Sequence, residues 1–438
     1  MRLFILELPS MTVDIISRNG GKVTVKLEID LSGSMLDVED SIQKAANSVG
    51  ALATKEKLEQ YDTDGSPIKL GSEKLTARTR DNKVYQTPYG KVSVKRYVYQ
   101  TSRGGAIYCP LEVSARILNT ATPRFCKILS NKYARMSAGE ASEDMEDNHG
   151  RTVARSFIQN TAELIGSIAI AKEEKWSYEI PAQKTRVKTV NISLDGANIH
   201  VRKDGYRESM AGAISLYDKQ GERLHSIYVA AAPEYGKRIF YKKMEDEITK
   251  IKLLYPQAEY VGVADGAKDN WTFLKTHTDK QILDFYHASE YLGGACSGMF
   301  YKKKEMGKKD EWLDLQCHNL KHKTGSVARI INMMESHLKE NAPPKSHKDK
   351  IKAAITYFKN NKHRMKYAEH VANNLPIGSG VTEAACKTII KARLCGSGMQ
   401  WKSMGVKIVL SLRPLIKTKG RWQQFWDKIS QYGIPVLA

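Results

Sequence analysis

The sequence predicts an α/β protein. A mixed five-stranded sheet forms the core, an all-helical insertion interrupts it, and an N-terminal α+β region and a helical region come first. Three observations predict this. Short β-type runs between 187 and 286 alternate with helical periodicity, the pattern of an α/β sheet. Residues 288–375 are polar, rich in lysine and helical by spacing. The turn-forming string Pro376-Ile377-Gly378-Ser379-Gly380 then opens another helix, so the core resumes after the insertion.

Taken in order, residues 1–115 form the α+β region. Ser32-Gly33-Ser34 precedes Met35, Val38, Ile42, Ala45, Val49 and Leu52 at helical spacing. A loop rich in Asp and Gly follows. Val92, Val94 and Val98 lie on a strand by alternation, and Ile107-Tyr108-Cys109 returns as its partner across the Thr101–Gly105 turn. Residues 116–180 read as helical. A break at Asn148-His149-Gly150 separates two apolar patterns, the second carrying Val153, Phe157, Ile158, Ala162 and Ile165, which suits a helix-turn-helix. A recognition helix there would present Arg151, Arg155 and Gln159 to DNA; ordinary packed helices would produce the same pattern.

The core begins in residues 181–287. Val187, Val190, Ile192 and Leu194 lead into Asp195-Gly196. Further β-type runs span 211–217 and 224–231, a helix spans 241–254, and the continuous apolar run 260–264 ends at Asp265-Gly266. Such a run fits a strand buried on both faces. Gln281–Tyr286 supplies a fifth strand. Strand–strand–strand–helix–strand–helix–strand is the order of ribonuclease-H-like folds. Residues 288–375 are the helical insertion, and 376–438 return to the core as helices carrying Glu383.

Charge narrows the partners. Lys+Arg number 69 against 48 Asp+Glu, a net charge of +21, which attracts polyanions, nucleic acid foremost. Six scattered cysteines with no CxxC pair read as reduced and intracellular. No run reaches the ~18 apolar residues of a membrane span. The first eleven residues lack the apolar core and cleavage site of a leader. These features point to the cytoplasm and the nucleoid.

The chemistry resides in carboxylates. Asp195 and Asp265 each follow an apolar strand and precede Gly, so each carboxylate is expected at a sheet end where ligands bind, with Gly allowing a turn. Glu383 is expected about one turn into its helix, on the face of Cys386, Lys387 and Ile390, packed inward. Three converging carboxylates repel one another unless cations bridge them. Their oxygens favour Mg²⁺ or Mn²⁺, and two ions suit phosphodiester displacement.

Several strings together carry a resemblance: ISLDGA (192–197), DGYRESMAGAISLYD (204–218), VGVADGAKDNW (261–271), LDFYHASEYL (283–292) and PIGSGVTEAACKTIIKARLCGSGMQW (376–401), with YCPLE (108–112) and NHGRTVARS (148–156) upstream. The chain resembles bacterial insertion-sequence transposases of the ISKra type, relatives of the Mutator-like transposases. The resemblance implies a DDE-type transposase with Asp195, Asp265 and Glu383 holding two Mg²⁺ (or Mn²⁺) ions. It also implies an Asp-x-x-His motif at Asp284–His287, with His287 near the acids as a catalytic group. The partners expected are double-stranded DNA, as terminal inverted repeats and as target, and a second copy of the chain on that DNA. Lys387, Lys391, Arg393 and Lys402, in a segment with ten basic residues and one acid between 387 and 428, are expected to meet phosphates. Trp271 either packs the site or stacks on a base. Two other readings stay open: a ribonuclease-H-like nuclease without strand transfer, and a domesticated DNA-binding regulator.

Overall fold

The computed structural model describes residues 13–302 and 306–433. The N-terminal stretch examined for a leader and the middle of the lysine-rich run 302–309 lie outside the described residues. The chain forms two compact units, Met1–Tyr178 with Gln423–Ala438, and Glu179–Trp422. The first therefore joins the expected 1–115 and 116–180 regions and also takes the end of the chain.

In the first unit, strands β1 (Val13–Asn19) and β2 (Lys22–Leu27) pair as a hairpin. Helix α1 (Met35–Glu59) starts at a Ser34/Asp37 capping box, each side chain accepting from the other's backbone N–H. Strands β3 (Ile68–Leu70), β4 (Glu73–Gln86), β5 (Lys91–Thr101) and β6 (Gly104–Tyr108) make an antiparallel sheet in that order. The β4 stretch, expected as loop, is a strand. Only Leu75 and Tyr85 of that strand are buried, so it carries almost no apolar alternation. Helices α2 (Pro110–Ser114), α3 (Pro123–Arg135), α4 (Ala138–His149) and α5 (Arg155–Lys172) follow. Gly150, left-handed at φ 58°, ends α4.

The second unit is mixed α/β. Strands β7 (Thr189–Val201), β8 (Gly205–Tyr217), β9 (Arg223–Ala231), β10 (Glu259–Ala264) and β11 (Lys280–Leu283) form one sheet, ordered β11-β10-β7-β8-β9. β7, β8 and β9 pair antiparallel; β10 and β11 run parallel to β7. Helices α6 (Arg238–Leu254) and α7 (Lys268–His277) connect the later strands. Their Phe240, Met244, Ile248, Trp271 and Leu274 share a core with Ile192, Leu194, Ile214 and Val263.

Helices α8 (Phe285–Met299), α9 (Met306–His322), α10 (Ser326–Asn341), α11 (Lys345–Asn361) and α12 (Tyr367–Ala372) occupy the expected insertion. Gly298 lets α8 approach α11 closely: a Cβ there would stand 2.6 Å from the His347 carbonyl. The chain returns through α13 (Gly380–Ala385), a π-helical turn (Cys386–Lys391), α14 (Ala392–Leu394), α15 (Ser403–Lys417) and α16 (Arg421–Tyr432). α13 and the π turn pack on β7 and β8, and α15 on β9. Successive strand residues face opposite sides. Leu194 thus turns toward α6, and Ser193 and Asp195 turn toward α13.

Candidate active site

Asp195 does not end its strand. β7 runs on to Val201, and Asp195 pairs with Ala211 of β8. Gly196 has ordinary strand geometry, so the expected turn at Asp195-Gly196 is corrected. The glycine serves a close approach instead, because a Cβ there would collide with the Glu208 carboxylate, which pairs with Lys237 at 2.7 Å. The Asp195 carboxylate is half-buried. One oxygen accepts the Gly196 N–H at 2.7 Å, and the Cys386 thiol hydrogen-bonds the group. Burial pushes its pKa up, and the Asp265 charge adds to the rise.

Asp265 does stand at a strand end. Gly266 takes φ 113°, a conformation that favours glycine. The β7–β10 register pairs Ser193 with Val263, and the β10–β11 register pairs Leu283 with Ala264. Continued by two residues and by one, these registers set Asp265 beside Asp195 and Asp284. Three aspartates therefore stand at one level across three neighbouring parallel strands. One Asp265 carboxylate oxygen accepts the Ala267 N–H at 3.2 Å, and its backbone carbonyl accepts the Tyr357 hydroxyl of α11 at 2.7 Å. The insertion thus reaches the sheet end.

Asp284 is 1% exposed and caps α8. It accepts the His287 N–H at 2.9 Å and also the Ser379 N–H, just before α13. The His287 ring Nδ1 lies 3.4 Å from its carboxylate, an ion-pair contact at the long end for a hydrogen bond. Burial acts to raise the Asp284 carboxyl, but the hydrogen bonds from His287 and Ser379 overcome it and hold the group down at about 2. His287 is raised to about 9, chiefly by Asp284, with Asp265 and Glu290 adding to the effect against partial burial. It is a cation at neutral pH.

Glu383 is the main correction. Its helix packs inward through Thr382, Ala385, Cys386, Ile389 and Ile390. The Thr382 and Ser193 hydroxyls hydrogen-bond, and Cys386 meets Asp195. Three residues before Cys386, Glu383 stands about 60° around the helix from it, at the margin of this stripe. Its side chain is 48% exposed and pairs with Lys387 at 2.6 Å. The buried Arg413 guanidinium holds the π turn from behind, donating to the carbonyls of Ile389 at 2.6 Å and of Thr388.

The DNA-facing candidates divide. Arg151 is 7% exposed, lies over the Phe125 ring and donates to the Thr87 carbonyl and the Gln86 side chain. It ties α4 to β4, and its guanidinium is unavailable to DNA. Arg155 and Gln159 are exposed one helical turn apart; Arg155 faces Glu143 as an ion pair at 3.6 Å, and Gln159 donates to Glu163 at 2.8 Å. Arg393 is 3% exposed with its guanidinium over Trp401, so it is a packing residue and not a surface cation. Lys387, Lys391 and Lys402 are exposed. Trp271 is 6% exposed beneath the Arg364 guanidinium, 4.2 Å away, so its packing role holds and base stacking does not.

Sequence reasoning missed the double duty of Asp284, the contact of Tyr357 with Asp265, and Glu208 over Gly196. Only the first left a signal, an Asp directly before a helical pattern.

Asp195 and Asp265 supply hard oxygen donors of the kind a small divalent cation prefers. With Glu383 turned to Lys387, no group of three or more His, Cys, Asp and Glu residues is gathered to hold a metal ion among the described residues. No helix among them is long and apolar enough to cross a membrane. Compared with known proteins, the chain matches no family model and no curated protein significantly.

Proposed function

We propose that the chain is a DNA transposase of the DDE type, and that its second unit is a ribonuclease-H-like core. The observation that carries this reading is the parallel β7–β10 register, which, continued two residues past Ser193 and Val263, sets Asp195 and Asp265 side by side, with the helix of Glu383 packed against β7 through Thr382 and Cys386. The motif strings and the net charge of +21 support it.

Asp195 and Asp265 would hold Mg²⁺ or Mn²⁺, with Glu383 as the third carboxylate. Bound ions supply activation of a water or 3′-hydroxyl and stabilisation of the leaving oxygen. The Lys387–Glu383 pair is open to solvent and screened by it, so Lys387 holds Glu383 weakly and a rotamer change costs little. Protonated His287 neutralises a phosphate oxygen; it is not poised to take a proton. Asp284 positions it, and through Ser379 it also positions the start of α13. Exposed Arg155 and Gln159 on α5 suit DNA contact by the first unit.

The test begins with the DNA flanking the gene, where imperfect inverted repeats define the substrate. Precleaved ends are then incubated with a target duplex and Mg²⁺. Joined products that vanish in Asp265→Asn support the reading. Cleavage without joining turns the protein into a nuclease. Full activity in Asp265→Asn eliminates the proposed acids. Cutting and joining two ends calls for at least a dimer on DNA, which mass measurement of the end-bound complex checks.

A further inference from the structure

Beside the aspartates, a cleft of about 910 Å³ runs between α7 and α11, beginning at Gly266. Lys268 and Lys275 stand on its α7 wall, Lys352 on its α11 wall and Arg364 at its inner end; Asp349 is the one acid on its lining. Among the described residues, none of the four cations has a carboxylate within ion-pair distance. Arg364 Nε and Trp271 Nε1 are both buried donors with no acceptor. The cleft therefore carries an excess of positive charge, a surface suited to an anion.

An aromatic platform adjoins it. The Tyr291 ring stacks on Tyr357 at 3.8 Å and 10°, and Tyr291 is 40% exposed on the cleft lining. A cationic groove with an open aromatic face is the arrangement that binds single-stranded nucleic acid, because an unpaired base can stack while its backbone follows the charges. A base within a duplex is already stacked and leaves such a ring unused. Lys268 and Lys275 are about 10 Å apart along α7, so two cations follow one wall of the groove.

We propose that this cleft binds a single DNA strand running on from the aspartate pair, over Tyr291 and along the Lys268–Lys275 and Lys352 walls. The proposal rests on the DNA-cutting reading for the identity of the strand, and on the cleft itself for the binding.

The experiment measures fluorescence anisotropy of the full chain with dye-labelled oligothymidylate of about 12 nucleotides, and with a hairpin duplex of equal length, in EDTA. Lys275→Glu/Lys352→Glu, both at exposed positions, is expected to weaken oligothymidylate binding about tenfold or more. It is expected to flatten the salt dependence by about 1.4, at roughly 0.7 per phosphate contact, and to leave the duplex within about twofold. Tyr291→Leu is expected to weaken oligothymidylate about fivefold or more. Unchanged oligothymidylate affinity in a charge-reversed protein with native circular dichroism overturns the proposal, as does an equal loss on duplex. Cleavage by Asp265→Asn is assayed separately, with Mg²⁺ in place of EDTA. Cleavage by that variant would remove the proposed function and leave the cleft standing, whereas loss of binding only in the cleft variants would establish the cleft whatever the chemistry.

Discussion

Replacing Asp284 by Asn tests the positioning of the site. The side chain keeps its size but loses its charge. The carboxylate accepts two backbone N–H groups, from His287 and Ser379, and faces the His287 ring. An amide oxygen can satisfy one N–H, but its NH₂ then confronts the other. One buried donor is left unmatched, costing about 1–3 kcal/mol. The ion pair disappears as well. The rise of His287 from 6.5 to about 9 corresponds to roughly 3 kcal/mol at 1.36 kcal/mol per unit. The descent of Asp284 from 3.8 to about 2 is smaller. The ring is 38% exposed, so solvent screening leaves about 1–2 kcal/mol. The whole substitution should destabilise the chain by about 2–5 kcal/mol and return His287 toward 6.5. Histidine NMR titration of the metal-free protein, assigned with His287→Gln, reads the second effect, and urea unfolding reads the first. A His287 that still titrates near 9, with unchanged stability, would refute the assignment of Asp284 as the group that holds it.

Arg413→Met should lower stability by about 2–4 kcal/mol, because two carbonyls of the π turn lose a charged donor inside the protein, and DNA joining should fall with it; thermal melting and the strand-transfer assay check both. Gly298→Ala should cost about 1–3 kcal/mol by chemical denaturation, since the new methyl meets the His347 carbonyl, which is backbone and cannot swing away. The Asp284–His287 pair fixes a pH window. His287 is raised, so its contribution is complete below 6.5 and disappears as pH climbs through about 9; Asp284 is depressed, so its contribution is present above 3.8 and disappears as pH falls through about 2. Unfolding free energy should therefore drop between pH 6.5 and 9 in the parent more than in His287→Gln. Thr382→Val should weaken the seat of α13 on β7 by about 1–2 kcal/mol by leaving the buried Ser193 hydroxyl without its partner.

The sheet was readable because its strands are apolar on a period that side-chain alternation or two-sided burial demands. The run 260–264 is β10, and the strings around 192, 214 and 227 are β7, β8 and β9. β4 was not readable, since a long, largely exposed strand needs little apolar sequence. The fifth strand was read three residues too long because Asp284 ends it by capping a helix, a choice made by one side chain. Asp195 and Asp265 were marked by what precedes them, yet Asp-Gly meant two different things: a close approach at Gly196 and a left-handed turn at Gly266. Charge in a helix-turn-helix pattern points Arg151 toward DNA, and nothing local shows that the end of β4 buries it. The side of the helix that Glu383 takes depends on where Thr382 and Cys386 find β7, and that is settled by packing between distant segments.

The π turn after Glu383 makes the spacing of this stretch stiffer than its composition. A π-helical turn holds one residue more than an α-helical turn. Deleting one residue between Cys386 and Lys391 would let regular α-winding resume with the flanking residues facing nearly as before, whereas inserting one would swing everything on its N-terminal side by about 100° relative to Ile390 and Arg413. Glu383 would leave the rim beside Asp195, and Thr382 would lose Ser193. The stretch can shed its extra residue and keep its direction, but a single-residue gain changes the way the glutamate points.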